Sequence, residues 1–278
     1  MTDERRAALK KAANQLRKGI IEEVYCAQSG HPGGSLSIAD VMAYLYQEEL
    51  RVDVSNPKWE DRDRLVLSKG HVCPALYAAL AQKGFFPWEE LKTFRKTGSR
   101  LQGHPDLKKV PGVDFSSGSL GQGVSAAAGI ALGGKVNRKD YRVYAILGDG
   151  ELQEGEVWES AMFSAHYQLD NLCYIIDNNG LQIDGNIRDV CSPYPIDEKF
   201  LSFGFEVITI DGHDFDQIEA AVQKAKTVKG KPTAIIARTT KGKGVSFMEG
   251  QAAWHGSAPN KEQYEIAMAD LEKIEEVL

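Results

Sequence analysis

The sequence is poor in cysteine and has no long hydrophobic run. Its 278 residues include four cysteines, without paired spacing or a CxxC motif, so neither a disulfide scaffold nor a zinc framework is indicated. No apolar run is long enough to span a bilayer, and the charged segment 1–18 lacks the apolar core of a signal peptide. We therefore expect reduced, mostly buried thiols in a cytoplasmic protein that has no membrane partner.

An excess of positive charge is also absent. The chain has 33 Lys and Arg against 39 Asp and Glu, a formal net charge of -6. Proteins that bind nucleic acids or anionic membranes need a basic face, so no nucleic-acid partner is expected. A composition of 42% hydrophobic and 26% charged residues is typical of a globular protein. We predict a single domain over residues 1–278.

Short apolar runs alternate with helical segments along the chain. Strands are predicted at 65–67, 143–147, 172–176, 205–210 and 233–237. Helices are predicted at 3–29, 38–50, 73–83, 121–134, 155–168, 214–226 and 261–277. The Gly- and Pro-containing segment 29–35 is expected to break the first helix, and Ser37 to cap the second. The alternation predicts an α/β fold, a doubly wound and mostly parallel sheet with helices on both faces.

Two turns directly follow predicted strands, where ligands bind in such sheets. The first is Gly148-Asp149-Gly150, whose glycines let backbone N–H groups approach an anion such as diphosphate. The second is the segment 177–180. Asp149, Asn179 and the carbonyl oxygen of Leu181 are hard oxygen donors of the kind that Mg2+ takes. The pair predicts a diphosphate–metal site and resembles the "GDG…N" motif of thiamine diphosphate enzymes.

Four of the six histidines occupy Gly-rich loops. They are His31, His71, His104 and His255. Imidazoles in such loops suit hydroxyl-bearing substrates and proton transfer near neutral pH, although each taken alone is equally typical of a solvated loop. A zinc site is less favoured because no pair has ligand-like spacing. The other two, His166 and His213, are predicted to be structural, the latter in a turn or helix cap.

Nine motifs follow one another along nearly the whole chain. They are GHPGGSLS (30–37), DRDRLVLSKGH (61–71), QGHPD (102–106), SSGSLGQGVS (116–125), LGDGELQEGEVWE (147–159), LDNL (169–172), IIDNNGLQIDG (175–185), TTKGKGVSFME (239–249) and WHG (254–256). Together they resemble the N-terminal, diphosphate-binding half of transketolase. The closest resemblance is to the N-terminal subunit of split-gene transketolases.

The resemblance implies the thiamin diphosphate-binding fold, in its diphosphate-binding form, with thiamine diphosphate and Mg2+ or Ca2+ as cofactors. It places the metal on Asp149, Asn179 and the carbonyl oxygen of Leu181. The residues expected to contact the diphosphate or line its pocket are Gly150, His71, Lys241 and His255. Those expected near the thiazolium ring are Gly118, Ser119, Leu120 and Ile183.

The resemblance also implies roles around a sugar substrate. The residues expected to surround its reacting carbons are His31, His71, His104 and His255. Among them, His104 would bind the C1 hydroxyl of the donor, while His31 and His255 would handle the proton of its C3 hydroxyl. Glu154 and Glu159 match acidic residues that the family places at the subunit interface, where they couple the cofactor sites. We group Glu154 with the catalytic residues. Carboxylates near a helix start are also favoured by the helix dipole alone.

The implied activity is transfer of a two-carbon ketol unit from a ketose phosphate donor to an aldose phosphate acceptor. The family's complete enzyme is more than twice as long, and its second domain holds the aminopyrimidine ring. We therefore expect a natural subunit rather than a fragment, active only with a C-terminal transketolase subunit that carries the pyrimidine-binding and C-terminal domains. The expected assembly is an α2β2 heterotetramer.

Two alternatives stay open. One is the alpha subunit of a thiamine diphosphate-dependent 2-oxoacid dehydrogenase, which is disfavoured because its chemistry does not use sugar-facing histidines. The other is a non-catalytic assembly subunit that keeps the fold.

Overall fold

A five-stranded parallel sheet forms the centre of the protein in a computed structural model that describes residues 1–276. The strand order is β1-β2-β3-β7-β6, and every neighbouring pair is parallel. A small antiparallel hairpin, β4–β5, follows β3. The strands are β1 (Arg64–Leu67), β2 (Val143–Gly148), β3 (Leu172–Asn178), β4 (Leu181–Gln182), β5 (Gly185–Asn186), β6 (Glu206–Asp211) and β7 (Thr233–Arg238). The predicted α/β fold and its parallel sheet are confirmed.

Helices cover both faces of this sheet. They are α1 (Asp3–Ala27), α2 (Pro32–Ser37), α3 (Ala39–Tyr44), α4 (Cys73–Lys83), α5 (Gln122–Val136), α6 (Gly155–His166), α7 (Ile187–Val190), α8 (Ile196–Ser202), α9 (Phe215–Thr227) and α10 (Lys261–Glu276). Alternate strand residues point to opposite faces. Tyr144 packs in a core with residues of α1, α3, α4 and α9, whereas Ala145 packs in a second core with residues of α5, α6 and α8. Strands buried on both sides read as continuous apolar runs, which is why β2, β3 and β7 could be located from the sequence. The edge strand β6 is only partly buried, but its run of apolar residues was also located.

The start of the fold differs from the prediction. Helix α1 ends at Ala27, two residues early, because Gln28 adopts a left-handed conformation with φ of 49°. The predicted break is also shorter, since α2 begins at Pro32, and proline suits the first helical position, where its missing N–H would have no partner. Ser37 is not an N-cap. It ends α2, and its hydroxyl forms hydrogen bonds with the carbonyl oxygen of Gly34 and the carboxylate of Asp177 instead.

The remaining differences concern short elements and ends. The predicted helix 38–50 is α3 followed by a π-helical segment over residues 45–49. The hairpin, α7 and α8 have two to seven residues each and gave no periodic signal. Residue 277, the predicted end of the last helix, lies outside the described residues. Within the described chain all four cysteines are free thiols, two of them buried. No helix of residues 1–276 has the length and apolar character needed to cross a membrane.

Candidate functional site

A cavity of about 480 Å3 opens at the carboxyl edge of the sheet. Its walls come from the loops after β1, β2, β3 and β7, the start of α2, the segment 104–120 and the hairpin. The predicted residues that line it are His31, His71, His104, Gly118, Leu120, Asp149, Gly150, Glu154, Asn179, Leu181, Ile183, Lys241 and His255. Among the residues predicted to contact the cofactor or the sugar, only Ser119 is not in the lining, and it lies between two residues that are.

The two turns after β2 and β3 lie side by side. Strand register places Gly148 opposite Asp177, and the Asp149 carboxylate joins the turns by accepting two backbone hydrogen bonds. Its Oδ1 accepts from the N–H of Gly150 at 2.9 Å, and its Oδ2 accepts from the N–H of Gly180 at 2.6 Å. Asp149 is therefore held rigidly at the floor of the cavity.

The donor atoms in this corner suit a hard divalent cation. Burial, together with the nearby Asp177 carboxylate, raises the pKa of Asp149 to about 6, so a cation beside it would stabilise its ionised form. Asn179 Oδ1 accepts from the Leu181 N–H at 3.1 Å, which fixes the orientation of the Asn179 amide in this turn. Residues 1–276 contain no group of three or more His, Cys, Asp or Glu side chains that could hold a metal ion. A cation here would therefore be held by one carboxylate, by neutral oxygens of the protein and by the phosphate oxygens of a bound diphosphate.

A buried ion pair, which the sequence did not reveal, supports the same corner. The Lys69 ammonium pairs with the Asp177 carboxylate, and the two side chains are 3% and 0% exposed. Burial alone would raise the pKa of Asp177, but Lys69 and the hydroxyls of Ser37 and Thr239 lower it below its usual range. Lys69 lies two residues beyond the end of β1, at the edge of the sheet where ligands bind, and that position is a signal for the site although it does not show that the lysine is buried.

A second ammonium lies beside the first. The side chain of Lys241 is buried, and its Nζ lies 3.3 Å from the carbonyl oxygen of Leu181 and 3.0 Å from His255 Nδ1. Burial, and then repulsion from Lys69, lowers the pKa of Lys241 to about 8. Two ammonium groups forced together in a buried corner favour an anionic ligand, and diphosphate satisfies that requirement.

Three of the histidines form a triangle over this corner. Their ring centroids are 5.1 Å apart for His31 and His71, 5.5 Å for His31 and His255, and 5.2 Å for His71 and His255. A Cβ at Gly33 would lie 2.8 Å from the carbonyl oxygen of Trp254, so glycine is required for α2 to approach the loop that carries His255. The triangle thus depends on close backbone contact.

Burial keeps these imidazoles neutral. It is the main cause that lowers the pKa of His31 to about 4 and that of His255 to about 3, with smaller effects of nearby cations, and it lowers the pKa of His71 well below its usual value. His31 Nδ1 is buried and has no hydrogen-bond partner among the described side chains and backbone groups. His104 lines the same cavity, and burial followed by Arg95 lowers its pKa as well. Neutral imidazoles can accept protons, as the prediction for a hydroxyl-bearing substrate requires.

Three glutamates that follow the Gly148-Asp149-Gly150 turn lie in different environments. Glu154 is exposed at the start of α6 and lines the cavity, whereas Glu159 is exposed further along α6, away from the lining. Glu151, which the sequence did not single out, is buried. It accepts from the Ser68 hydroxyl and from the N–H groups of Gly121 at 2.9 Å and Gly148 at 3.1 Å. Glu151 thus fixes the GDG turn to the start of α5.

The two remaining histidines lie outside the cavity. His166 is exposed at the end of α6. His213 lies in the turn after β6, as one of its two predicted placements had it. It is not the cap of α9, because Asp214 accepts the capping hydrogen bonds from the N–H groups of Asp216 and Gln217. His213 instead bonds Asp40 and the backbone of Thr240.

Comparison with known proteins agrees with this geometry. The family model "Transketolase, thiamine diphosphate binding domain" matches residues 8–271. The chain is 46% identical over 270 residues to the 6-deoxy-6-sulfo-D-fructose transketolase subunit SqwG of Clostridium sp. (strain MSTE9), covering 97% of this chain and 98% of that protein. It is 42% identical over 262 residues to an apulose-4-phosphate transketolase subunit of Phocaeicola vulgatus, covering 94% and 93%.

Among solved structures, the transketolase of Campylobacter jejuni aligns with a TM-score of 0.91 and 35% identity, over 98% of this chain and 43% of that one. The chain thus spans less than half of that enzyme but almost the whole of the two relatives named subunits. The predicted family and class of enzyme are confirmed, and the chain belongs to the transketolase family, in which it corresponds to the thiamine diphosphate binding domain.

Proposed function

We propose that this chain is the diphosphate-binding subunit of a two-chain transketolase. In this role it holds thiamine diphosphate through Mg2+ and, with its partner, transfers a two-carbon ketol unit from a ketose to an aldose. The observation that carries the proposal is the shared cavity. A corner with Asp149, Asn179, Lys69 and Lys241 lies directly beneath a triangle of neutral histidines.

The corner would bind the metal and the diphosphate. Asp149, Asn179 Oδ1 and the carbonyl oxygen of Leu181 would hold Mg2+, while Lys241, with His71 and His255 beside it, would balance the phosphate charge. The backbone of Gly150 completes this side of the pocket. Gly118, Leu120 and Ile183 line the cavity and would contact the thiazolium ring, with Ser119 between the first two.

When bound, thiamine diphosphate supplies the electron sink for breaking a carbon–carbon bond beside a carbonyl group. The chain supplies the proton transfers. His31 and His255 are neutral at physiological pH and would take the proton of the donor's C3 hydroxyl. His104 would donate to the C1 hydroxyl and orient the donor. These assignments follow the family pattern and the position of each imidazole in the cavity.

A partner chain is part of the proposal. The chain covers 42% of the length of the transketolase of Mus musculus. The two relatives that it covers almost entirely are both named subunits. We infer that a C-terminal subunit closes the cavity, supplies the aminopyrimidine contacts and assembles as α2β2, with Glu154 at the interface. The relatives' names indicate a donor that ends in a phosphate or a sulfonate.

The test is reconstitution. We expect the purified chain to bind Mg2+ and inorganic diphosphate but to show no ketol transfer until the partner subunit is added, with donors carrying a terminal phosphate or sulfonate assayed in parallel. Robust transfer by the chain alone would refute the partner requirement. Oxidation of pyruvate with an artificial electron acceptor would support a 2-oxoacid dehydrogenase instead. Unchanged activity of an Asp149→Ala complex would support a non-catalytic subunit.

A further inference from the structure

The loop over residues 239–243 carries Lys241 into the cavity, and three of its backbone N–H groups have partners from three different elements. The N–H of Thr239 donates to the carbonyl of Asn178 at 3.2 Å, and that of Gly242 donates to the carbonyl of Gly33 at 2.9 Å. The N–H of Thr240, the residue before Lys241, donates to the Nε2 atom of His213 at 2.9 Å.

The second ring nitrogen of His213 fixes its tautomer. Because Nε2 accepts a hydrogen bond from a backbone N–H, the ring hydrogen of this neutral imidazole must be on Nδ1. Nδ1 lies 2.7 Å from the Asp40 carboxylate, to which it donates. Asp40, on α3, is buried and therefore holds the imidazole in the one tautomer that can accept from Thr240.

The same carboxylate connects the other end of the loop. The Nη2 of Arg17, on α1, donates to Asp40 at 2.5 Å, and the Arg17 Nε donates to the carbonyl of Lys243 at 3.1 Å. Both ends of the loop are therefore held by one chain of contacts, Arg17–Asp40–His213. None of these three residues lines the cavity.

We propose that His213 is a positioning residue whose Nε2 holds the Thr240 N–H and thereby keeps the Lys241 ammonium at the diphosphate corner. The ammonium of Lys241 is buried near that of Lys69, so it is costly to keep in place and leaves the corner when the loop is released. The inference rests on the proposed diphosphate site. It adds a residue outside the cavity, on the turn after β6.

Two substitutions separate the two hydrogen bonds of His213. His213→Gln places a side-chain oxygen near the Nε2 position and keeps the acceptor for Thr240. His213→Asn keeps a donor near the Nδ1 position for Asp40 but does not reach Thr240. In calorimetric titrations of the full chain with inorganic diphosphate and Mg2+, we expect His213→Gln to stay within roughly twofold of wild type and His213→Asn to bind about 3- to 10-fold more weakly. The reverse order would overturn the proposal, because it would indicate that the Asp40 contact matters instead. Equal losses would overturn it as well, because keeping the acceptor for Thr240 would then bring no benefit.

A measurement without ligand makes the test independent of the proposed function. Residue-resolved hydrogen exchange should show the Thr240 amide protected in wild type and in His213→Gln but exchanging faster in His213→Asn. Equal protection in all three proteins would refute the contact. A wild-type chain that fails to bind diphosphate would refute the diphosphate site instead, and the exchange data would still decide the role of His213.

Discussion

Glu23, on α1, should make the protein less stable as the pH rises. Its side chain is fully buried, and neither carboxyl oxygen has a hydrogen-bond partner within residues 1–276. Burial, with a smaller effect of Glu22, raises the pKa of Glu23 well above its ordinary value of 4.5. The folded protein therefore retains a proton that the unfolded chain releases above pH 4.5.

The size of this effect follows from proton linkage. Because the folded state binds the extra proton, the free energy of unfolding falls as the pH rises from 4.5 toward the folded pKa, by about 1.4 kcal/mol per pH unit. Glu23→Met removes the ionisable group and its unsatisfied oxygens while nearly keeping the volume. We expect this variant to be more stable than wild type at pH 7 by at least about 1–3 kcal/mol, the cost of an unsatisfied buried polar group.

Urea unfolding at several pH values between 5 and 8 measures the difference directly. The stability gain of Glu23→Met over wild type should grow with pH until the folded pKa is reached. Glu22→Gln is the matched control, since it removes a partly exposed carboxylate, paired with an exposed Lys92, from the same turn of α1. It should change stability by less than about 1 kcal/mol. A gain that does not depend on pH, or a loss of stability in Glu23→Met, would refute the reasoning.

Three further predictions concern the cavity. In calorimetric titrations, Asp149→Asn should weaken Mg2+-dependent diphosphate binding at least about tenfold. Binding by the wild type should weaken below about pH 6, where a proton competes with the metal for Asp149. Retained binding in both cases would contradict the metal site. Binding of inorganic diphosphate without metal should weaken above pH 8, because the pKa of Lys241 is about 8 and its charge is lost there; a Lys241→Met chain should lose this pH dependence. Gly33→Ala should lower the rate of the reconstituted enzyme at least about tenfold, since the new Cβ would lie 2.8 Å from the carbonyl of Trp254 and would displace His255; an unchanged rate would show that the triangle is not required.

The location of the site was predictable from the sequence, whereas much of its support was not. Asp149 and Asn179 could be located because each follows a short apolar run, and parallel strands bring their carboxyl ends to one edge. The four loop histidines could be grouped because glycines flank them. Their assigned roles remain predictions, although the structure brings all of these side chains to one cavity.

The missed residues depend on distant contacts. The Lys69–Asp177 pair joins residues 108 positions apart, and no local pattern distinguishes a lysine that will be buried from one on the surface. Asp177 was interpreted only as part of a turn, although its carboxylate has four side-chain partners. His213 was assigned to a turn or helix cap because it lies in Asp211-Gly212-His213-Asp214 before a helix, and its contact with Thr240 becomes visible only when β6 and β7 are neighbours.

The cavity places charged side chains directly beside neutral imidazoles. The charged side chains lie in the corner where Asp149 and Asp177 face Lys69 and Lys241, while burial keeps His31 and His255 uncharged above them. An ammonium near an imidazole lowers the imidazole's pKa, which keeps the ring unprotonated and also makes it a weaker base. A metal and diphosphate bound in the corner would leave the total charge there nearly balanced, so the histidines would remain neutral acceptors during turnover. Two buried ammonium groups repel each other unless an anion lies between them, so the Lys241 loop needs the contacts outside the cavity that hold it in place.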